Sequence, residues 1–310
     1  MTTESLPRTP AELGLPELPV EARPADPAVH HVRAKLDREI RALLAYEPGT
    51  RSGADPEDLH QMRVALRRMR SVLKLSGALV GDGAEPVRAE LGWLGQSLGE
   101  VRDHDVLIGH LREVIADFEV RDQAPGRRLV SLFVTERAGA KRRLIRALSS
   151  ARYSTLLREV SLLTRDRSVA ATEEQHDLVA GLAKPHRKLA KAVRALPADP
   201  PDDDLHALRI HGKKLRYAAE LAQTSAKKKR AKRIKKLIKA TRDFQTVLGD
   251  HQDAVIAAER MRTVLETADG EVGFVAGRIA ERELARRAEA RATWRTSWAA
   301  VDDAAQALHA

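Results

Sequence analysis

The chain of 310 residues contains no cysteine, which excludes disulfides, thiolate nucleophiles and cysteine-ligated zinc. Aromatic residues are scarce as well: four Phe, three Tyr and three Trp, 3% of the chain. Proteins that grip single-stranded nucleic acid stack bases on such rings. A basic chain this poor in rings suits a polyanion that has no bases. No apolar run approaches the roughly eighteen residues of a membrane span, and the N-terminus lacks the basic-then-apolar order of a secretory signal. A cytoplasmic protein without a membrane partner is expected. Alternating β-branched segments are missing too, so a sheet is not expected.

Positive charge is present in excess. Lys and Arg number 54 against 44 Asp and Glu, a formal net charge of +10. That balance favours polyanionic partners, and the many acids mean that the distribution of charge matters more than its sum. Six prolines (Pro7, Pro10, Pro16, Pro19, Pro24 and Pro27) crowd residues 1–27. Proline at this density predicts a disordered tail. From Val29 onward apolar residues return at three- and four-residue spacing, as in Val32, Leu36, Ile40 and Leu43, which predicts helix nearly throughout. Breaks near 47–58, 81–86, 122–126, 165–172, 197–204, 224–226 and 269–273 divide the chain into eight helices. The expected organisation is a first helical bundle at 28–164, a linker at 165–173 and a second bundle at 174–310, four helices in each.

The halves repeat. Leu59-His60-Gln61-Met62-Arg63-Val64 aligns with Leu205-His206-Ala207-Leu208-Arg209-Ile210, and Arg67, Arg68 and Arg70 align with Lys213, Lys214 and Arg216. Leu98-Gly99-Glu100-Val101-Arg102-Asp103 aligns with Leu248-Gly249-Asp250-His251-Gln252-Asp253. The offset is 146 residues for the first pair and 150 for the second, a difference of about one helical turn. Duplication predicts a pseudo-twofold molecule whose equivalent helices face a shared cleft.

Helix geometry gives the repeat a chemistry. At about 100° per residue, His60, Arg63, Arg67, Arg70 and Lys74 fall within an arc of about 80°. Leu59, Met62, Leu66, Met69 and Leu73 form an apolar stripe beside it, so the basic stripe borders the core and suits a groove between helices. The second half repeats the basic stripe with His206, Arg209, Lys213 and Arg216, but Glu220 stands at the equivalent of Lys74. Arg68 and Lys214 lie off the stripes. Guanidinium forks match phosphate oxygens, and a nearby anion favours protonated histidine. A stripe about 21 Å long suits an extended phosphate chain better than one phosphate. Lys227–Arg242 holds ten basic residues and no acid, with Lys235 and Lys239 as further candidate binders. Asp103 and Asp253 are read as orienting neighbouring arginines or histidines, not as metal ligands. His104-Asp105 and His176-Asp177 are weak metal signals in a chain with 11 histidines, and no metal or other cofactor is expected.

Taken together, Leu59–Arg70, Leu98–Val106, Leu205–Leu221, Leu248–Asp253 and Arg152-Tyr153 followed by Leu156-Leu157 are similar to the CHAD family, the conserved histidine α-helical domain, over residues 28 to 305. The resemblance implies one all-α domain built as two four-helix bundles with pseudo-twofold symmetry and a basic central cleft. It also implies binding of inorganic polyphosphate and association with polyphosphate granules. By motif, it implicates His60, Arg63, Arg67, Arg70, His206, Arg209, Lys213 and Arg216. Members are often fused to a triphosphate-tunnel catalytic domain with a Glu-x-Glu-x-Lys signature. That signature is absent here, and no enzymatic activity is expected. Two alternatives are a metal-assisted phosphohydrolase, which needs clustered His and Asp ligands, and a nucleic-acid-binding protein using the Lys/Arg-rich helix.

Overall fold

The computed structural model describes residues 9–165 and 177–308. Among them are nine α-helices and no strand. They are α1 (Ala28–Ser52), α2 (Pro56–Ser76), α3 (Ala84–Ala116), α4 (Val120–Leu148), α5 (Ala151–Arg165), α6 (Ala183–Arg194), α7 (Asp202–Ser225), α8 (Lys228–Leu265) and α9 (Gly270–Gln306).

Five helices precede residue 166, one more than the periodicity predicts. The extra break is Ser149-Ser150. The Ser150 hydroxyl accepts from the Tyr153 backbone N–H at 3.3 Å, so a short polar pair caps α5 without proline or glycine. The break expected at 122–126 lies instead before Val120, and Pro125 stands inside α4.

Contacts divide the chain into two compact units. The first comprises Met1–Asp103, Arg137–Gly181 and Glu220–Lys227; the second comprises His104–Glu136, Leu182–Ala219 and Lys228–Ala310. The units therefore exchange segments of α3, α4 and α7 and do not follow the halves 28–164 and 174–310. Length explains this: a helix of 33 residues such as α3 runs about 50 Å, so its two ends meet different neighbours. Residues 166–173 of the expected linker lie outside the described residues.

The first unit closes around Leu36 and Ile40 of α1, Met62 and Leu66 of α2, Leu94 and Leu98 of α3, Leu144 of α4 and Tyr153 of α5. In the second, Leu111 of α3 and Phe133 of α4 pack with Met261 of α8 and Val275 and Ile279 of α9. Elsewhere in that unit Phe244, Leu248 and Trp294 are fully buried.

The expectation of a disordered tail at 1–27 is corrected for residues 9–27; residues 1–8 lie outside the described residues. Leu13 and Leu15 are buried in the first core. The Leu13 carbonyl accepts from Ser161 Oγ at 2.6 Å, the Pro16 carbonyl from Arg41 Nη2 at 2.6 Å, and Val20 N–H donates to Asp37 Oδ2 at 3.0 Å. Proline blocks long helix but not an extended strap, and here two leucines and the borrowed partners from α1 and α5 give the strap reason to stay.

Candidate functional site

The α2 row begins with a defined start. Asp55 is the N-cap, its carboxylate accepting from Glu57 N–H at 2.7 Å, and Pro56 occupies the first turn. This fixes the phase of the helix. Leu59, Met62, Leu66, Met69 and Leu73 all point into the core. His60, Arg63, Arg67 and Arg70 are consequently half-buried, and Lys74 is exposed.

What these cations lie against is decided by α3. Gly92, Gly95 and Gly99 share one face of that helix, within about 60°. A Cβ at Gly92 would stand 3.4 Å from Arg70 Nη2, one at Gly95 3.7 Å from Arg70 Nη1, and one at Gly99 2.9 Å from Arg63 Nη1. Gly99 thus leaves space that the Arg63 head occupies, whereas at Gly92 and Gly95 a Cβ would make only an ordinary contact with Arg70, and at Gly95 it would crowd Leu66 Cδ2 at 3.1 Å. Arg63 Nη1 also donates to Asp103 at 3.2 Å. A groove of about 590 Å³ opens on Arg70, bounded by Ala89, Gly92, Trp93, Gly95, Gln96 and Arg152. Arg152 lies 4.2 Å above the Trp93 ring and is held by both carboxylate oxygens of Glu90.

The electrostatics of this row are strained. Arg70 Nε is shut off from solvent and has no hydrogen-bond partner among the described residues. Burial, and then repulsion from Arg88, pull the Arg70 pKa down. Burial also lowers the pKa of His60, with Arg102, Arg67 and Arg63 acting in the same sense and Glu57 against them. Such a cluster is short of negative charge.

The second row lies on α7, where Asp202, Asp203 and Asp204 supply the acidic first turn. Asp202 is anchored by Arg287 at 2.9 Å, Arg291 at 2.8 Å and His251 at 3.1 Å. Burial alone would push the Asp202 carboxyl up; the hydrogen bond from Arg287 and the charges around it hold it below the usual range. His251 is itself buried, so it serves this anchor and not a ligand. His206, Arg209, Lys213 and Arg216 are half-buried. His206 Nδ1 lies 2.6 Å from Gln252 Oε1, Arg209 Nε lies 3.8 Å from where a Gly249 Cβ would stand, and the Arg216 guanidinium lies over the Tyr217 ring at 4.8 Å. Arg209 Nε, like Arg70 Nε, is buried without a partner among the described residues.

The two aligned motifs thus pair equivalent residues within each unit, Arg63 with Gly99 and, more loosely, Arg209 with Gly249. The remaining candidates lie on α8. Lys235 and Lys239 are exposed on α8, and Lys239 pairs with Asp243 at 2.7 Å. Asp253 is exposed on the same helix. Arg68, off the row by helix phase, lies 3.7 Å from the buried Glu39 and 3.7 Å from Glu220. Among the described residues no group of three or more His, Asp or Glu is placed to hold a metal ion, and no helix is long and apolar enough to cross a membrane.

Sequence reasoning found the cations but missed Gly92, Gly95, Arg102 and Gln252. The glycines had a signal, spacings of three and four residues that put small residues on one helix face. Gln252 had only its alignment with Arg102.

Half-buried cations facing glycine on a neighbouring helix recur in both units of this all-helical protein. The chain belongs to the CHAD domain family, whose description it matches over residues 34–262. It is 30% identical over 273 residues to the uncharacterized proteins MT2285 and Rv2226 of two Mycobacterium tuberculosis strains, a match that covers 84% of this chain and 50% of theirs. The chain thus spans about half the length of these curated relatives. Among solved structures it is similar to PptA from Streptomyces chartreusis, with a TM-score of 0.68, 20% identity and coverage of 88% of this chain and 99% of that one. It is also similar to the CHAD domain from the plant Ricinus communis, with a TM-score of 0.67, 24% identity and coverage of 94% and 95%.

Proposed function

We propose that this protein binds inorganic polyphosphate along its two His/Arg/Lys rows, and that it catalyses no reaction on the bound chain. Polyphosphate binding is a known association of the family. The observation that carries the reading is the pair Arg70 and Arg209, each with a buried Nε that lacks a partner among the described residues. A buried donor without an acceptor costs about 1–3 kcal/mol, more when the group is charged. An anion that reaches the Nη donors of these heads adds charge-assisted hydrogen bonds that offset that cost. The scarcity of rings supports a polymer without bases, and cations spread along each helix support a chain over a single phosphate. Association with polyphosphate granules in the cytoplasm is part of the same proposal.

The test is a titration at fixed salt against long-chain polyphosphate, orthophosphate and duplex DNA, repeated at several salt concentrations. The expected result is tight binding to polyphosphate, weak binding to orthophosphate and a steep loss of affinity with salt, by analogy with counterion release. Equal affinity for polyphosphate and orthophosphate, or preference for DNA, overturns the reading.

A further inference from the structure

The α8 helix carries a cationic face that the two rows do not use. Lys228, Lys232, Lys235, Lys239 and Arg242 fall within about 80° of one another, and all five are exposed. The buried side chains Leu237, Thr241, Phe244 and Leu248 lie on the opposite side, about 170° from the centre of that arc. No apolar or aromatic residue falls within the arc, so it offers nothing for base stacking or for insertion into a membrane. The helix also starts against its own dipole. Its first turn contains no acid, and cations there add to the positive end of the peptide dipoles. Stability alone does not favour such a start.

Register ties this face to the α7 row. His206 meets Gln252 and Arg209 meets Gly249, so α7 and α8 run antiparallel and Arg216 falls level with Arg242. Gly249, on the α7-facing side of α8, lies only about 60° from the centre of the cationic arc. At about 1.5 Å per residue, His206–Arg216 covers about 15 Å and Arg242–Lys228 a further 21 Å, roughly 36 Å of cations in sequence. The first unit has no counterpart. The stretch equivalent to Lys228–Arg242, residues 78–92, carries one basic residue, Arg88; it is paired with Glu85 at 2.7 Å, as Lys239 is with Asp243.

We propose that the exposed α8 face is a capture track for polyphosphate, onto which a chain seated on the α7 row continues. This rests on the polyphosphate reading above. The division of labour follows from the side chains. Arginines held half-buried against glycine make directed hydrogen bonds and govern dissociation. Exposed lysines are hydrated, mobile point charges that govern encounter. The track makes association faster for long chains than for short ones, because only a long chain reaches Lys228 while filling the row.

The test uses the full chain with Lys228→Gln, Lys232→Gln, Lys235→Gln and Lys239→Gln combined. Glutamine keeps helix propensity, and far-UV circular dichroism checks the fold. Association and dissociation rates are measured with chains of about ten and about one hundred phosphates. With long chains at low salt the variant is expected to associate roughly tenfold more slowly. Its dissociation rate should change by less than about twofold, and its salt slope should fall by roughly two to three. Short-chain rates should stay near wild type. Unchanged long-chain rates overturn the track and leave the rows standing, as does a loss carried by dissociation or shared equally by both lengths. A variant that loses duplex DNA binding but keeps its polyphosphate rates makes the face a nucleic-acid surface and also overturns the proposal. A wild type that binds neither length removes the polyphosphate reading itself.

Discussion

The α2–α3 pair and the α7–α8 pair carry the same motif and use it differently. In the first, Gly99 of α3 seats Arg63 closely, Gly92 and Gly95 lie in ordinary contact with Arg70, and a groove opens on Arg70. In the second, Gly249 lies looser against Arg209, and the positions equivalent to Gly92 and Gly95 are Arg242 and Gln245. Gln245 Nε2 is buried without a partner among the described residues. Where the first pair removed side chains to make a recess, the second kept them and moved its surplus charge outward along α8. Two similar motifs can thus keep one contact while their surroundings differ, a groove beside Arg70 in one and an exposed cationic helix face in the other.

The largest effect should come from reversing one charge in each row. Arg63→Glu and Arg209→Glu are each expected to weaken polyphosphate binding by about thirtyfold or more, roughly 2 kcal/mol, with helical circular dichroism unchanged. If one reversal is harmless, only one copy of the motif binds, and the comparison becomes one between a site and a relic.

Filling the recess separates the copies. Gly99→Ala would set a Cβ 2.9 Å from Arg63 Nη1, should push that head from its seat and is expected to cost about tenfold in affinity. Gly249→Ala meets Arg209 only at 3.8 Å, an ordinary contact, and should cost less than about twofold. Equal losses, read in the same titration, would show that the seats are equivalent after all.

Acidity should act through His60. Its pKa in the free protein lies below the ordinary value, and a bound anion stabilises the imidazolium, so the bound-state pKa is the higher of the two. Protons are taken up on binding. Affinity therefore rises as pH falls through the bound-state pKa and levels off below the free-state value. Between pH 8 and 5 this should amount to about tenfold or less, and His60→Gln should remove it. A slope that survives in the variant assigns it to another group.

In stability the two units should behave alike. His31 in the first and His251 in the second both have pKa values lowered chiefly by burial. The unfolded chain takes up protons first, near the ordinary pKa of about 6.5. Stability present above that pH is then lost as pH falls through the folded-state values. Melting followed by circular dichroism from pH 8 to 5 should show a falling midpoint, and a flat curve would show that these histidines titrate normally. The smallest effect is that of Arg68→Gln. It removes the long contacts to Glu39 and Glu220, should cost about 1 kcal/mol or less in stability and should leave polyphosphate affinity unchanged. An affinity loss would place Arg68 in the row.

Much of this was legible in the sequence because it is local. Helix phase follows from spacing: Leu59, Met62, Leu66, Met69 and Leu73 fix where His60, Arg63, Arg67 and Arg70 emerge. The paired motifs stand in the sequence itself, and the missing rings and the excess of Lys and Arg led to the ligand proposed above. What the sequence could not decide concerns partners far apart in the chain. Nothing local says that Arg70 lies against Gly92 and Gly95, that Arg68 is drawn to Glu39 and Glu220, or that His251 is buried in an anchor with Asp202 and two arginines of α9. Nor does it say that a proline-rich strap is held by Arg41 and Ser161. The physical reason is that periodicity sets which way a side chain points on its own helix, whereas burial and pairing depend on which other helix packs there.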